Sequence, residues 1–283
     1  MEIVRRVQSM KEISRQARAK RQRIGFVPTM GFLHQGHLAL IRKMNEQADL
    51  VVVSIFVNPT QFGPAEDFDR YPRDLTRDTD LCIAEGVDYL FVPEVQDIYP
   101  PGPRTFVDVP DLSTRLEGAS RPGHFRGVTT IVLKLFNVVQ PQVAAFGAKD
   151  AQQAVAIRRM VDDLLLDVEL HVVPTQRDER GVALSSRNAY LSAEHRDAAT
   201  AIPRSLDAAR HVVSEGQQKP EEVLAAVREV LEAEPLLRVD YAELVDPDTL
   251  APVDIVEGRV LLLVAVHCGE TRLIDNALLE VSA

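Results

Sequence analysis

Stretches of apolar residues alternate with stretches of helical periodicity through the first two-thirds of the chain. Residues 24–28 (IGFVP) and 50–57 (LVVVSIFV) are apolar almost throughout, as expected of strands that are covered on both faces. Between them, residues 36–48 place leucine, isoleucine and methionine at helical spacing. This alternation predicts parallel strands that are joined by helical crossovers.

The alternation continues to about residue 176, and then the pattern changes. The next predicted helices lie at 74–84, 127–139 and 150–162, and the next strands at 88–92, 142–146 and 167–174. After residue 187 the sequence predicts alanine-rich helices at 193–214 and 220–233, and an antiparallel sheet of strands 239–245, 258–266 and 271–277. The predicted class is α/β. A Rossmann-like doubly wound parallel sheet domain (1–175) is followed by a smaller α+β C-terminal domain (176–283).

Composition narrows the classes of protein to which the chain can belong. Its 283 residues are 46% hydrophobic and 26% charged, which excludes disordered and collagen-like chains. A net charge of −10 disfavours nucleic acid as a partner. The two cysteines lie far apart and suggest neither a disulfide framework nor a zinc site, and no apolar run is long enough to span a bilayer. We therefore expect a cytoplasmic protein that binds neither nucleic acid nor membranes.

The strongest candidate for chemistry lies where the first predicted strand meets the first predicted helix. There the sequence PTMGFLHQGH (residues 28–37) holds His34 and His37 in an HxGH pattern. Backbone N–H groups and the helix dipole make such a junction an anion site, and a histidine can donate a hydrogen bond to charged phosphoryl oxygens. Two alternatives are histidines that only cap the helix and a zinc pair, for which no third ligand is visible nearby.

Two more segments in the first half of the chain suit a small anionic substrate. Asn58 and Gln61 in NPTQF follow the second strand, and each side chain can both donate and accept hydrogen bonds. Arg121 in RPGHFRGV precedes a helix and could grip a carboxylate or phosphate with two hydrogen bonds. The alternatives are an Asn-Pro turn and an ordinary surface loop. The acidic stretch 67–80 could hold Mg²⁺ or form a solvated helix face.

Positive groups also stand at two later strand ends. The chain has six lysines and 26 arginines, so Lys149, which follows a strand in GAKD, indicates a requirement for a compact charge. The spacing there is not that of a Walker loop. In LSSRN (184–188), two hydroxyls and a guanidinium could cradle a polyanion. Helix capping by Asp150 and a serine-rich hinge are the structural alternatives.

Taken in this order, HxGH, NPTQF, RPGHFRGV, GAKDAQQ and SSRN resemble the pantoate–β-alanine ligase family over essentially the whole chain. HxGH alone is similar to the HIGH signature of the nucleotidylyltransferase superfamily. The resemblance implies an ATP-dependent ligase. Pantoate and ATP form pantoyl adenylate and pyrophosphate, and β-alanine then displaces AMP to give pantothenate. It also implies Mg²⁺ accompanying ATP, and a homodimer.

The resemblance also implies roles for individual residues. The catalytic residues are His37, His34, Lys149 and Arg187, with His37 as the proton donor. The ATP-binding residues are Met30, Gly31, His34, Gly36, His37, Gly147, Lys149, Asp150, Gln176, Leu184, Ser185, Ser186 and Arg187. The substrate-binding residues are Gln61, Gln153, Asn58 and Arg121, and the candidate magnesium ligand is Asp78. Gln176 and Leu184 differ from the residues usual in the family, although backbone contacts tolerate such changes.

Three other functions compete with this interpretation. A nucleotidylyltransferase would stop at the adenylylated product, and NPTQF and SSRN count against it. A regulator that binds nucleotide without turnover is the non-enzymatic alternative, and the intact HxGH and Lys149 count against that. A hydride-transferring Rossmann enzyme is disfavoured because no GxGxxG follows the first strand.

Overall fold

The computed structural model describes residues 1–64 and 66–281, and the chain divides into two compact units. The first unit comprises Met1–Ala148 and Gln152–Pro174, and the second comprises Lys149–Ala151 and the chain from Thr175 onward. The division into domains at 1–175 and 176–283 stays a prediction.

A parallel sheet forms the centre of the first unit. Its strands are β1 (Glu2–Val4), β2 (Ile24–Thr29), β3 (Leu50–Ile55), β4 (Tyr89–Phe91), β5 (Val143–Gly147) and β6 (Glu169–Val173). Over the described ranges they form one six-stranded sheet in the order β1-β4-β3-β2-β5-β6, with every pair parallel. The chain moves outward from β2 to β4 and then returns to the other side of β2, where β5 lies. In open α/β sheets, ligands bind at the carboxyl ends of the strands beside such a reversal.

Helices cover both faces of this sheet. They are α1 (Val7–Ala19), α2 (Gln35–Gln47), α3 (Leu75–Ala84), α4 (Val95–Ile98), α5 (Pro110–Ser113), α6 (Glu117–Ser120), α7 (His124–Val139) and α8 (Ala151–Asp163). Phe26 and Val52 pack with residues of α1, α7 and α8, whereas Val27 and Val53 pack with residues of α2 and α3. Successive strand residues point to opposite faces, so both faces are apolar and the strands read as continuous apolar runs. The predicted doubly wound α/β class is confirmed.

The second unit combines helices with a small antiparallel sheet. Its elements are α9 (Ala193–Ala198), α10 (Ala201–Ser214), α11 (Pro220–Glu232), β7 (Leu237–Val245), β8 (Arg259–Cys268) and β9 (Thr271–Glu280). The strands pair in the order β7-β8-β9 and are antiparallel throughout. One apolar core joins this sheet to α10 and α11, which confirms the predicted α+β character. Among the residues that the structure describes, no helix has the length and apolarity needed to cross a membrane.

Candidate active site

The segment that leaves β2 is held in an unusual backbone path. The Thr29 hydroxyl donates to the carbonyl of Ser54 at 2.7 Å and accepts from the amide of Gly31 at 3.1 Å. Gly31 (φ +83°) and Phe32 (φ +51°) then adopt the left-handed conformation. This conformation costs a residue with a side chain about 1–2 kcal/mol, so it persists only where neighbouring contacts impose it. The path delivers His34 to the start of α2.

The two histidines of HxGH use the same ring nitrogen to accept backbone hydrogen bonds. His34 Nδ1 accepts from the Gly36 amide at 3.1 Å, and His37 Nδ1 accepts from the His34 amide at 3.3 Å. Each neutral imidazole therefore carries its proton on Nε2. A Cβ on Gly36 would lie 2.8 Å from Cε1 of His34, so the glycine makes room for that ring. Capping uses Nδ1 and places the ring proton on Nε2, so capping and phosphate binding would use different ring atoms.

Asn58 orients the amide of Gln61 at the end of β3. Asn58 is 1% exposed, and its Nδ2 donates to Gln61 Oε1 at 3.0 Å and to the Gly127 carbonyl at 3.1 Å. Its Oδ1 accepts from the Tyr99 hydroxyl at 2.9 Å. Gln61 Nε2 in turn lies 3.3 Å from the sulfur of Met30. The structure thus brings the loop after β2 and the turn after β3 together, with the Gln61 amide set by its neighbours.

Arg121 is engaged by the protein itself. Its guanidinium donates two parallel hydrogen bonds to the Glu66 carboxylate, at 2.8 and 2.6 Å, and lies 3.4 Å from the carbonyl of Gln61. Burial tends to raise the pKa of Glu66, but the hydrogen bond and charge of Arg121 outweigh it and hold that pKa below its usual value. The paired charges favour a supporting role for Arg121 over the predicted substrate contact.

His124 completes this network in its neutral form. Its Nδ1 lies 2.9 Å from the Gln61 carbonyl, which can only accept, and its Nε2 lies 3.1 Å from an Arg121 nitrogen, which can only donate. The neutral ring therefore carries its proton on Nδ1. Burial, with help from the charge of Arg121, lowers the pKa of His124 to about 4. The network fixes the backbone of Gln61, a feature that the local sequence pattern did not reveal.

The low pKa of His124 predicts a loss of stability in mild acid. Between its usual pKa of 6.5 and about 4, the unfolded chain binds a proton that the folded protein excludes. As the pH is lowered through this window, the free energy of unfolding should therefore decrease, and this residue should contribute about 3 kcal/mol of that decrease. Urea titrations from pH 7 to pH 4 on the wild type and His124→Asn measure it, because asparagine does not titrate and can keep the donor to Gln61.

The wild-type loss should exceed that of His124→Asn, and His211→Asn serves as the matched control. His211 is exposed on α10, so its replacement should leave the wild-type pH dependence in place. Equal pH dependence of the wild type and His124→Asn would contradict the assignment of a buried neutral ring.

Asp78 does not fit the predicted role of magnesium ligand. Its two carboxylate oxygens accept hydrogen bonds from the amides of Phe32 and Leu33, both at 2.7 Å, and its side chain is 1% exposed. Burial raises the pKa of Asp78, an effect that these two hydrogen bonds only partly offset. Within residues 1–64 and 66–281, no group of three or more His, Cys, Asp or Glu side chains is arranged to hold a metal ion. The carboxylate serves the backbone of the loop instead.

Gln152 and Gln153 have different environments at the start of α8. Gln153, predicted to bind substrate, is half-buried. Gln152 is buried, and its Nε2 donates to the carbonyls of Leu112 and Arg115 at 2.8 and 2.9 Å. Its Oε1 accepts from the Glu117 amide at 3.0 Å. Gln152 therefore braces the short helices α5 and α6, whereas the role of Gln153 stays a prediction.

In the second unit, β9 anchors Lys149. Asn276 on β9 donates from Nδ2 to the Lys149 carbonyl at 2.9 Å. The Lys149 side chain is 17% exposed, and its ammonium lies 3.9 Å from the carboxylate of the more exposed Asp150. Ser185 caps the following 3-10 helix, Ser186–Tyr190, by accepting from the Arg187 amide at 3.3 Å.

Asp275, which precedes Asn276 on β9, holds the segment around Gln176, another residue that is predicted to bind ATP. Asp275 is 3% exposed and receives two hydrogen bonds from Arg177, at 2.6 and 2.9 Å. Next to Arg177, the Gln176 carbonyl accepts from the Leu184 amide at 2.9 Å. Sequence reasoning missed Asp275 and its neighbour Asn276. The only local signal was an acid and an amide between the apolar residues 273–274 and 277–279 of the strand.

Comparison with known proteins places these features in a wider context. A family model described as "Pantoate-beta-alanine ligase" matches residues 2–278. The chain is 52% identical over 276 residues to a protein of Thermosipho melanesiensis named pantothenate synthetase, with 98% of each chain covered. It is also 52% identical over 273 residues to one of Pelotomaculum thermopropionicum, covering 96% of this chain and 97% of that one.

Solved structures show the same similarity. A pantothenate synthetase from Thermus thermophilus superposes with a TM-score of 0.92 and 48% identity, covering 98% of this chain and 99% of that one. A pantoate-beta-alanine ligase from Francisella tularensis, complexed with beta-gamma ATP and beta-alanine, gives a TM-score of 0.80 and 35% identity. The match covers 98% of this chain and 97% of that one.

Proposed function

The chain belongs to the pantoate–β-alanine ligase family, and from that premise we propose how its residues divide the work of the reaction. It is an ATP-dependent carbon–nitrogen ligase that condenses (R)-pantoate with β-alanine to give pantothenate, AMP and pyrophosphate. Of the competing functions, a hydride-transferring enzyme and a regulator without turnover do not agree with this membership.

The reaction consists of two substitutions. A pantoate carboxylate oxygen attacks the α-phosphorus of ATP, and pyrophosphate leaves with the electrons of the broken P–O bond. The amine of β-alanine then attacks the acyl carbon of pantoyl adenylate, loses a proton, and AMP leaves. The first step brings anions together in line, so positioning and charge stabilisation supply most of the catalysis.

His34 and His37 are proposed to stabilise the negative charge that develops on the phosphoryl oxygens. Their Nε2–H groups are donors because both Nδ1 atoms accept from the backbone. The amino-terminal end of α2 adds a positive dipole at the same place. His37 is proposed to be the main donor, through a hydrogen bond from Nε2–H in which the neutral ring keeps its proton. Met30, Gly31 and Gly36 shape the backbone against which the nucleotide lies.

Lys149, Ser185, Ser186 and Arg187 are proposed to bind the triphosphate and neutralise the departing pyrophosphate. A lysine ammonium and an arginine fork are the groups that proteins use for phosphate oxygens. Gly147, Asp150, Gln176 and Leu184 are proposed to contact the nucleoside. The capping of Ser186–Tyr190 by Ser185 and the anchoring of Lys149 by Asn276 support these roles by limiting backbone freedom.

Gln61 and Gln153 are proposed to orient pantoate, with Asn58 in support. An amide offers both a donor and an acceptor, which matches a substrate that carries hydroxyl and carboxylate groups. The hydrogen bond from Asn58 to Gln61 supports this proposal because it fixes which end of the Gln61 amide accepts. The network around Arg121 and Glu66 would then hold the Gln61 backbone without touching substrate.

We also propose that Mg²⁺ accompanies ATP, with no protein ligand assigned to it, and that the enzyme is a cytoplasmic homodimer. Both Cys82 and Cys268 are buried and unpaired in the described part of the chain, which supports a reducing compartment. The resemblance to the family supports the homodimer and the use of Mg²⁺.

The observation that carries the proposed function is that two segments, at the carboxyl ends of β2 and β3, lie in contact. Paired Nε2–H donors stand on one segment and the fixed Gln61 amide on the other, with Met30 in contact with Gln61. Purified protein given ATP, Mg²⁺, pantoate and β-alanine should release AMP and pyrophosphate and form pantothenate in equal amounts. Mass spectrometry and coupled assays of the two leaving groups measure this stoichiometry.

Omitting each substrate in turn separates ligase from adenylyltransferase. Without β-alanine, pyrophosphate release should stop after about one turnover, because pantoyl adenylate stays bound, and AMP should not appear. Without pantoate, neither leaving group should appear. Continuous pyrophosphate release in the absence of β-alanine would instead show an enzyme whose product is the adenylate.

A further inference from the structure

Helix α3 holds the loop that precedes the HxGH histidines. Both Asp78 oxygens accept from consecutive amides of that loop, those of Phe32 and Leu33, each at 2.7 Å. From the adjacent position on the helix, the Arg77 guanidinium lies over the Phe32 ring, 5.3 Å from its centroid. Two side chains of one helix therefore contact Phe32, and one of them, Asp78, also holds Leu33.

The contacts from α3 fall at a part of the loop whose backbone needs external support. Gly31 and Phe32 both have positive φ, and Phe32 carries a bulky side chain in that region. A Cβ on Gly31 would lie 3.0 Å from Asp78 Oδ2, so the glycine permits the carboxylate to approach. The loop therefore keeps its shape through contacts with α3 rather than through its own preference.

The carboxylate also lies 3.7 Å from a guanidinium nitrogen of Arg77, its neighbour on the helix. It is buried, and burying a charge is costly unless hydrogen bonds offset the loss of water. Charge-assisted bonds to backbone N–H groups are among the stronger hydrogen bonds of proteins. Leu33, whose amide is one of the two, directly precedes His34, the N-cap of α2, so a shift of the loop is transmitted directly to His34.

We infer that Asp78 is a positioning residue for the adenylation step: by fixing the amides of Phe32 and Leu33 it sets where the His34 and His37 donors stand. Asp78 touches neither substrate nor metal in this role. The inference rests on the proposed function of the histidines and adds a residue of α3 to the groups on which that function depends.

Asp78→Asn tests the inference with little change in volume. Asparagine offers one acceptor and one donor in place of two acceptors, so one loop amide must face a donor. Single-turnover pyrophosphate release should slow by about tenfold or more, since displacing catalytic groups by a fraction of an ångström is costly. Amide hydrogen exchange measured by NMR should be faster at Phe32 or Leu33 and unchanged in the strands of the sheet.

Two controls separate positioning from metal binding and from a general charge effect. Asp80→Asn makes the same substitution at an exposed position of α3 and should keep the wild-type rate. The Mg²⁺ concentration that gives half-maximal rate should be the same in Asp78→Asn as in the wild type, because no metal ligand has been removed.

Several outcomes would overturn the inference. They are a wild-type rate in Asp78→Asn, recovery of its rate at higher Mg²⁺, unchanged exchange at both loop amides, or unfolding of the whole first unit. The last would assign Asp78 to the general stability of the unit. Failure of the proposed function would be distinguishable, since wild-type protein would then form no pantoyl adenylate at all.

Discussion

Replacing Lys149 with alanine should lower the turnover of the complete reaction by at least about a hundredfold, the usual cost of losing one preorganised contact to transition-state charge. When the bond between the α-phosphorus and the bridging oxygen breaks, the departing pyrophosphate gains negative charge on that oxygen. A lysine ammonium is a compact charge suited to stabilising it. The loss should fall on the adenylation step. Rapid-quench measurement of pantoyl adenylate, with saturating ATP and pantoate, determines the rate of that step in the variant and in the wild type.

The effect should be confined to this lysine. Lys219→Ala removes the same charge from an exposed position before α11 and should keep the wild-type rate. Lys149→Arg should recover only part of the activity, because a planar fork does not reproduce a compact ammonium. Adenylate formation by Lys149→Ala at close to the wild-type rate would remove the proposed role.

The parallel sheet could be predicted because its strands are nearly uniform in character. β2 and β3 are apolar on both faces, and few other structures account for such runs between helical segments. The short edge strand β1 and helix α1 were missed because their segment is highly charged. The predicted helix 193–214 is two helices in the structure. Pro203 is tolerated in the first turn of α10, where its missing N–H would have no helical acceptor, but not within a continuous helix.

The candidate site was predictable only where chemistry is local in sequence. HxGH positions two rings and a helix start within four residues, and the structure adds the acceptor role of both Nδ1 atoms. The partners that hold the site are distant in sequence: Glu66 lies 55 residues from Arg121, and Asn276 lies 127 from Lys149. No periodicity or motif identifies such partners, because the fold alone brings them together.

Asp78 is the opposite case: the sequence suggested a ligand-binding role, whereas the structure places the carboxylate against backbone amides. The acidic stretch 67–80 suggested a metal because Mg²⁺ takes oxygen ligands, and from sequence a carboxylate that binds a cation is indistinguishable from one that binds backbone amides. The two differ in burial and in the direction of the oxygens, which only the structure supplies.

Replacing His37 with alanine should slow adenylate formation by about a hundredfold or more, the usual cost of losing a preorganised hydrogen-bond donor to transition-state charge. Its Nδ1 accepts from the His34 amide, so the ring donates through Nε2–H. The substitution also removes the acceptor for that amide, and the His34 ring should lose part of its order. Quenched-flow detection of pantoyl adenylate measures the first effect, and NMR of the His34 ring measures the second.

The two half-reactions should respond differently to this substitution. When His37→Ala is supplied with pantoyl adenylate and β-alanine, pantothenate should form at a rate much closer to that of the wild type, because no pyrophosphate departs in that step. His211→Ala, which alters an exposed histidine on α10, should leave both half-reactions unchanged. Unimpaired adenylation by His37→Ala would exclude its role as donor, and equal impairment of both half-reactions would assign it to the shape of the site instead.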